Sequence, residues 1–176
     1  MQRQPMTAPR WMAWLMCSLG LGVVQAQTDA EAALKAAVIF NMLYFVEWPD
    51  EANWSQQTPL HLCANRQGVL WNSLQMLKGR SLGKAYVEVI DAHGGDAPPD
   101  CQVIVVESPA DAALQAESAP RPVLVVGDEG SGAQGVVLAL QMSAGRVVFD
   151  ANLALARRNG LRLSSRLLRL ARSVQE

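Results

Sequence analysis

From Ala32 to Trp48 the chain contains no glycine or proline, and its apolar residues recur at helical spacing. Leu34, Val38, Met42 and Phe45 fall on one stripe, and Ile39, Leu43 and Val46 on a second beside it. Only Lys35, Asn41 and Glu47 are strongly polar. The pattern predicts a helix that stops before Pro49, because a proline disfavours helix in the residue preceding it. A helix apolar on so much of its circumference must be covered on more than one side. The stretch is shorter than the roughly 18–20 apolar residues of a membrane span and carries three polar interruptions. The expected cover is therefore a sheet on one side and a helix or second subunit on the other.

Further on, short β-branched runs alternate with helical patterns. Residues 50–59 are polar and read as a loop. Strands are expected at Leu60–Ala64, Tyr86–Ile90, Cys101–Glu107 and Val123–Val126, with a helix at Gly68–Leu77 and a short one at Pro109–Glu117. Val136–Met142 and Arg146–Phe149 read as a hairpin joined at Ser143-Ala144-Gly145. Asp150–Asn159 reads as a helix stopped by Gly160. Leu161–Val174 reads as a last helix, with Leu163, Leu167, Leu170, Ala171 and Val174 on its apolar side and Arg162, Arg166, Arg169 and Arg172 on a basic one. The fold class expected is α/β: a layered sandwich with a mixed sheet of about five to six strands flanked by helices.

The first residues change the compartment. Arg3 and Arg10 precede an apolar run, Trp11–Val24, no acid occurs before Asp29, and Val24-Gln25-Ala26 is a small-residue cleavage pattern. Residues 1–26 are expected to be a cleaved signal peptide, leaving 27–176 as one exported α/β domain in the periplasm. Its loss takes away Arg3 and Arg10 and moves the net charge from −1 to −3. Such a mildly acidic chain is a poor nonspecific nucleic-acid binder.

Candidate chemistry is sparse. Gly130–Gly135 spells G-x-G-x-x-G, but Asp128 and Glu129 precede it and a strand-like run follows, where a dinucleotide site needs a helix. It reads as a hairpin loop. Cys63 and Cys101 are the cysteines left after cleavage; an even count in an oxidising compartment favours a disulfide, the alternative being two buried thiols. His61, Cys63, His93 and Cys101 have soft-metal character without a recognisable ligand spacing, so no metal or cofactor is assigned. No nucleophile elbow, Walker loop or H-E-x-x-H occurs, and no enzyme activity is expected.

Three blocks in fixed order carry a resemblance: KAAVIFNMLYFVEWP; LHLCAN followed by CQVIVVE; and RVVFDANLALARRNGLRLSSRLLRLARSV. The last is the most specific, through Phe149, Asn152, Ala156, Gly160-Leu161, Ser164-Ser165 and Leu167-Leu168. Together they resemble the YfiR-like family of periplasmic proteins. The resemblance implies an α/β domain, usually dimeric, with a regulatory role. Its best-known members inhibit a membrane-anchored diguanylate cyclase by holding its periplasmic sensor region, which lowers cyclic di-GMP and biofilm formation. Release of that inhibition is tied to family cysteines, and Cys63 and Cys101 match one such pair by position. Departures are Gln102 where the family often has His, a single Gly135 where it has Gly-Gly, and no second cysteine pair. Trp54, Arg162, Arg166 and Arg169 are the candidate partner-binding residues. The alternative is a small-ligand sensing module, with Asn41, Asn152 and Ser164 as candidate polar contacts.

Overall fold

A computed structural model describes residues 21–49, 57–92, 100–112, 121–129, 131–132 and 134–176. At its centre are two four-residue strands, β5 (Val103–Val106) and β6 (Leu124–Gly127), buried at every position. Such continuous apolar runs belong to parallel strands covered on both faces. β2 (Thr58–Ala64) pairs parallel with β5 on one side and with β4 (Ala85–Asp91) on the other. β7 (Leu138–Ser143) continues the parallel set beyond β6, and β8 (Arg146–Asn152) turns back antiparallel to it. β3 (Ser81–Leu82) closes one border antiparallel to β4, and β10 (Ser173–Gln175) lies parallel to β8 at the other. The order is β10-β8-β7-β6-β5-β2-β4-β3. The sheet is mixed and flanked by helices, as expected, with more strands than the sequence suggested. A separate ribbon pairs β1 (Val46–Glu47) with β9 (Arg162–Leu163).

The hairpin follows from two positive-φ residues. Ala144 (φ 50°) and Gly145 (φ 74°) form the turn between the paired Ser143 and Arg146. That backbone matches the right-handed twist of the flanking strands.

Helix α1 (Leu21–Leu43) lies on the first face of the sheet. It does not run to Pro49: it ends at Leu43, and Val46–Glu47 leave it to pair with Leu163 and Arg162. Its buried residues are Ala32, Lys35, Ala36, Ile39, Phe40, Met42 and Leu43. The expected second stripe is thus in the core, Ile39 and Leu43 being essentially inaccessible. The expected first stripe is met only in part: Met42 is in the core, Val38 and Phe45 are partly covered against it, and Leu34 is 40% exposed. The same face takes Leu70, Leu74 and Leu77 from and around α2 (Trp71–Gln75), Ala156 from α3 (Leu153–Arg158), and Leu161, Leu163 and Leu167 from the last segment. The second face carries a smaller cluster: Cys63, Ala92, Cys101, Ile104, Val106, Ala112, Val123, Val125 and Val136.

Two further expectations fail at the end of the chain. Asp150–Asn152 are strand, not helix; α3 starts only after Asn152, whose side chain caps it by accepting from the Leu155 amide at 2.8 Å. Leu161–Val174 is not one helix either. Ser164 accepts from the Leu167 amide and caps a single turn, α4 (Ser165–Leu168), after which Ser173–Gln175 join the sheet. The strand ladders on both sides of α4 override the helical spacing of the leucines, leaving Leu170 69% exposed.

Candidate functional site

The alternation of β2 sends Leu60, Leu62 and Ala64 to the helix-covered face and Cys63 to the other. Cys101 arrives two residues ahead of β5 and forms a disulfide with Cys63, their Cα atoms 6.0 Å apart. Both residues are buried, at 0% and 2% exposure. Neighbouring residues fasten the same spot. The His61 amide donates to Gln102 Oε1 at 2.8 Å, the Gln102 amide donates to the His61 carbonyl, and the His61 ring lies 2.8 Å from the Asp100 carboxylate. Gln102 is thus a bridge-side clamp. His61, Cys63 and Cys101 do share a face, but the two sulfurs are bonded to each other; His93 lies outside the described residues.

A second constellation sits at the carboxyl ends of the parallel strands. β2 leads to β4 on one side, whereas β5 and β6 lie on the other, so the strand order reverses between β2 and β5. Open α/β sheets place ligands in the crevice outside such a reversal. Here that crevice is occupied by the chain itself. Glu107, directly after β5, accepts the Val69 amide at 2.7 Å and the Leu70 amide at 3.4 Å. Burial pushes its carboxyl above the ordinary range against the pull of those two amides; Asp128 adds to the rise and Lys35 opposes it.

Lys35 reaches this edge from α1. Its Nζ lies 2.8 Å from Asp128, 2.8 Å from Glu31 and 3.9 Å from Glu129, with only 5% of the side chain exposed. Burial draws its pKa down, but Asp128 and Glu31 outweigh this and leave it raised. The sequence reading missed this network. Its signals were one cation inside an apolar helix and acids placed directly after two buried strands. The glycine-rich segment that follows joins β6 to β7; because these two strands run parallel it is a crossover connection, not the hairpin loop expected.

Two predictions arise here. A Cβ on Gly68 would run into the Glu107 carboxylate and lie 3.0 Å from the Asn65 carbonyl. Gly68→Ala should cost about 1–3 kcal/mol in urea unfolding, because the carboxylate must leave its two amides. Glu107 has its folded pKa above the unfolded one, so its contribution is full below the ordinary carboxylate value and is lost as pH rises through the folded pKa. Glu107→Gln should therefore gain on the wild type in melting temperature as pH goes from acid to neutral. A pH-independent difference would contradict this placement of the charge.

The candidate partner residues are scattered rather than aligned. Arg162, 83% exposed in its side chain, stands on β9 and lies 3.3 Å from Glu47. Exposed Arg166 lies on α4, and Arg169, also exposed, follows it next to exposed Leu170. Arg172 leaves the group to bind Asp150 through two nitrogens. Trp54 lies outside the described residues. Of the candidate ligand contacts, Asn41 is on the exposed side of α1, while Asn152 and Ser164 serve as helix caps. Asn152 also lines an open groove of about 450 Å³ with Gln134, Leu155, Arg158 and Gln175.

The sequence model of the YfiR/HmsC-like family matches residues 32–172. The chain belongs to the YfiR/HmsC-like family. The match runs from the buried part of α1 to the residue before β10, and so takes in the disulfide, the Lys35 network and the arginines of the last segment. Comparison with curated proteins returned no match. No described helix of this YfiR/HmsC-like chain is long and apolar enough to cross a membrane.

Proposed function

We propose that the protein is a periplasmic regulator that binds the periplasmic sensor region of a membrane-anchored diguanylate cyclase and inhibits it, acting by holding a partner and not by catalysis. Family membership over nearly the whole fold carries this reading. The strand-end crevice agrees with it, since the chain's own Val69 and Leu70 amides hold the Glu107 carboxylate there. Residues 1–26 act as a removed signal peptide, the mature chain beginning at Gln27, and the mature chain works as a homodimer. The partner is bound through the exposed Arg162, Arg166 and Arg169, with exposed Leu170 next to Arg169 adding apolar area; Trp54 is a further proposed contact.

The redox element of the proposal is the Cys63–Cys101 bridge. Because both sulfurs are buried, a reductant reaches them only through local opening, so the bridge responds to redox conditions through the stability of its surroundings. The test is a titration of the purified oxidised protein against the periplasmic fragment of a membrane diguanylate cyclase from the same cells, with cyclase output followed in parallel. Binding with loss of output is expected, weakened about tenfold or more in Cys63→Ser, which corresponds to 1.4 kcal/mol. Cyclase output that does not respond to the protein would refute inhibition; equal affinity of Cys63→Ser would remove the redox part alone.

The groove beside Asn152 favours a second reading, a small-ligand sensing module. A periplasmic metabolite that binds there would raise the melting temperature of the wild type but not of Gln134→Ala.

A further inference from the structure

β8 is seven residues long, but β10 pairs with only its last three, Asp150, Ala151 and Asn152. The Asn152 amide bonds inward to the Val137 carbonyl, so the antiparallel alternation turns the main-chain groups of Val147, Phe149 and Ala151 outward. The Phe149 carbonyl accepts the Arg172 amide at 2.8 Å. Among the described residues no strand pairs with the outer side of Arg146–Val148. That border is a template for another strand.

β10 itself is weakly seated. All three of its residues are exposed. Its side-chain ties are polar and at the surface: Arg172 and Ser173 Oγ (2.7 Å) on Asp150, and Asn152 Nδ2 on Gln175 Oε1 at 3.2 Å. Exposed ties of this kind contribute little each.

We propose that β10 is a displaceable strand and that the border of β8 receives an extended segment of a partner protein in its place. The register defines the segment. Ser173, Val174 and Gln175 stand opposite Asp150, Ala151 and Asn152, a polar–apolar–polar order. A segment that continues this order alongside Phe149 and Val147 places its apolar residues beside the main core, to which both belong, and its polar ones on the open face near Ala139. It can match seven positions of β8 where β10 matches three. Main-chain hydrogen bonds supply affinity in such strand addition, and alternate side chains supply selectivity. The inference stands whatever the identity of the regulated protein.

The test uses the full chain and a fluorescent peptide copying residues 169–176. Arg172→Ala removes the main tie of β10 without touching the core, since Arg172 is more than half exposed. The peptide should bind this variant about threefold more tightly than the wild type, and a Gln175→Pro peptide, lacking the donor that the register aims at Ala151, should not bind. In the wild type, the amides of Ser173 and Gln175, the β10 donors that face β8, should exchange with solvent about a hundred times faster than that of Val148, which faces β7. Equal exchange, or equal peptide binding by both proteins, would overturn the proposal. Self-association that Val147→Pro abolishes would also overturn it, by assigning the border to a second copy of the chain.

Discussion

Cys63→Ser should lower the melting temperature by about 8–16 °C. The bridge closes a loop of 38 residues. In the chain-entropy account, a crosslink of that length stabilises by about 4 kcal/mol, and for a chain of this size each kcal/mol moves the midpoint by about 2–4 °C. Cys101→Ser should cost the same, and the double variant little more, because either single change already removes the whole crosslink. Calorimetry of the three variants checks this. Burial makes a second expectation. Trapping of free thiols in the wild type under reductant should be slow and should accelerate with urea in step with unfolding. Fast labelling of the folded protein would show the bridge to be directly attackable, against its 0% and 2% exposure.

Lys35→Met should be comparably damaging for an electrostatic reason. The change leaves Asp128, only 11% exposed in its side chain, without the cation 2.8 Å away. Removing one partner of a buried pair costs about 3–5 kcal/mol, because the remaining charge stays out of water with nothing to balance it. Removing both is a different matter. Lys35→Met combined with Asp128→Asn should recover part of the loss, since the buried Asp128 position is then neutral while Glu31 and Glu107 still lack the cation. Urea unfolding of the two single variants and the double variant measures the coupling. Purely additive losses would mean that Lys35 does not stabilise through Asp128.

The central strands were legible because β5 and β6 are β-branched runs buried on both faces, a pattern that depends on little beyond their own residues. The hairpin was legible because Ala144-Gly145 carries its own turn chemistry. The last segment was not. Leu163, Leu167 and Leu170 have helical spacing, yet Leu163 lies in a ribbon with Val46 and Leu170 is exposed, because pairing with strands far away in sequence decided the backbone. The arginines were therefore read as one stripe, whereas the fold puts them on β9, α4 and the approach to β10. The disulfide was anticipated from cysteine count and family position. The Lys35–Asp128–Glu107 edge was not, since it joins α1 to the ends of β5 and β6 across more than ninety residues, and nothing local announces such a meeting.

The bond between Cys63 and Cys101 also encloses α2, β3 and β4 in a covalent ring. A protease that severs the main chain once, anywhere inside that ring, releases no fragment. The two pieces stay tethered and migrate as one on a non-reducing gel, so a nicked molecule keeps all its parts as long as its surroundings stay oxidising.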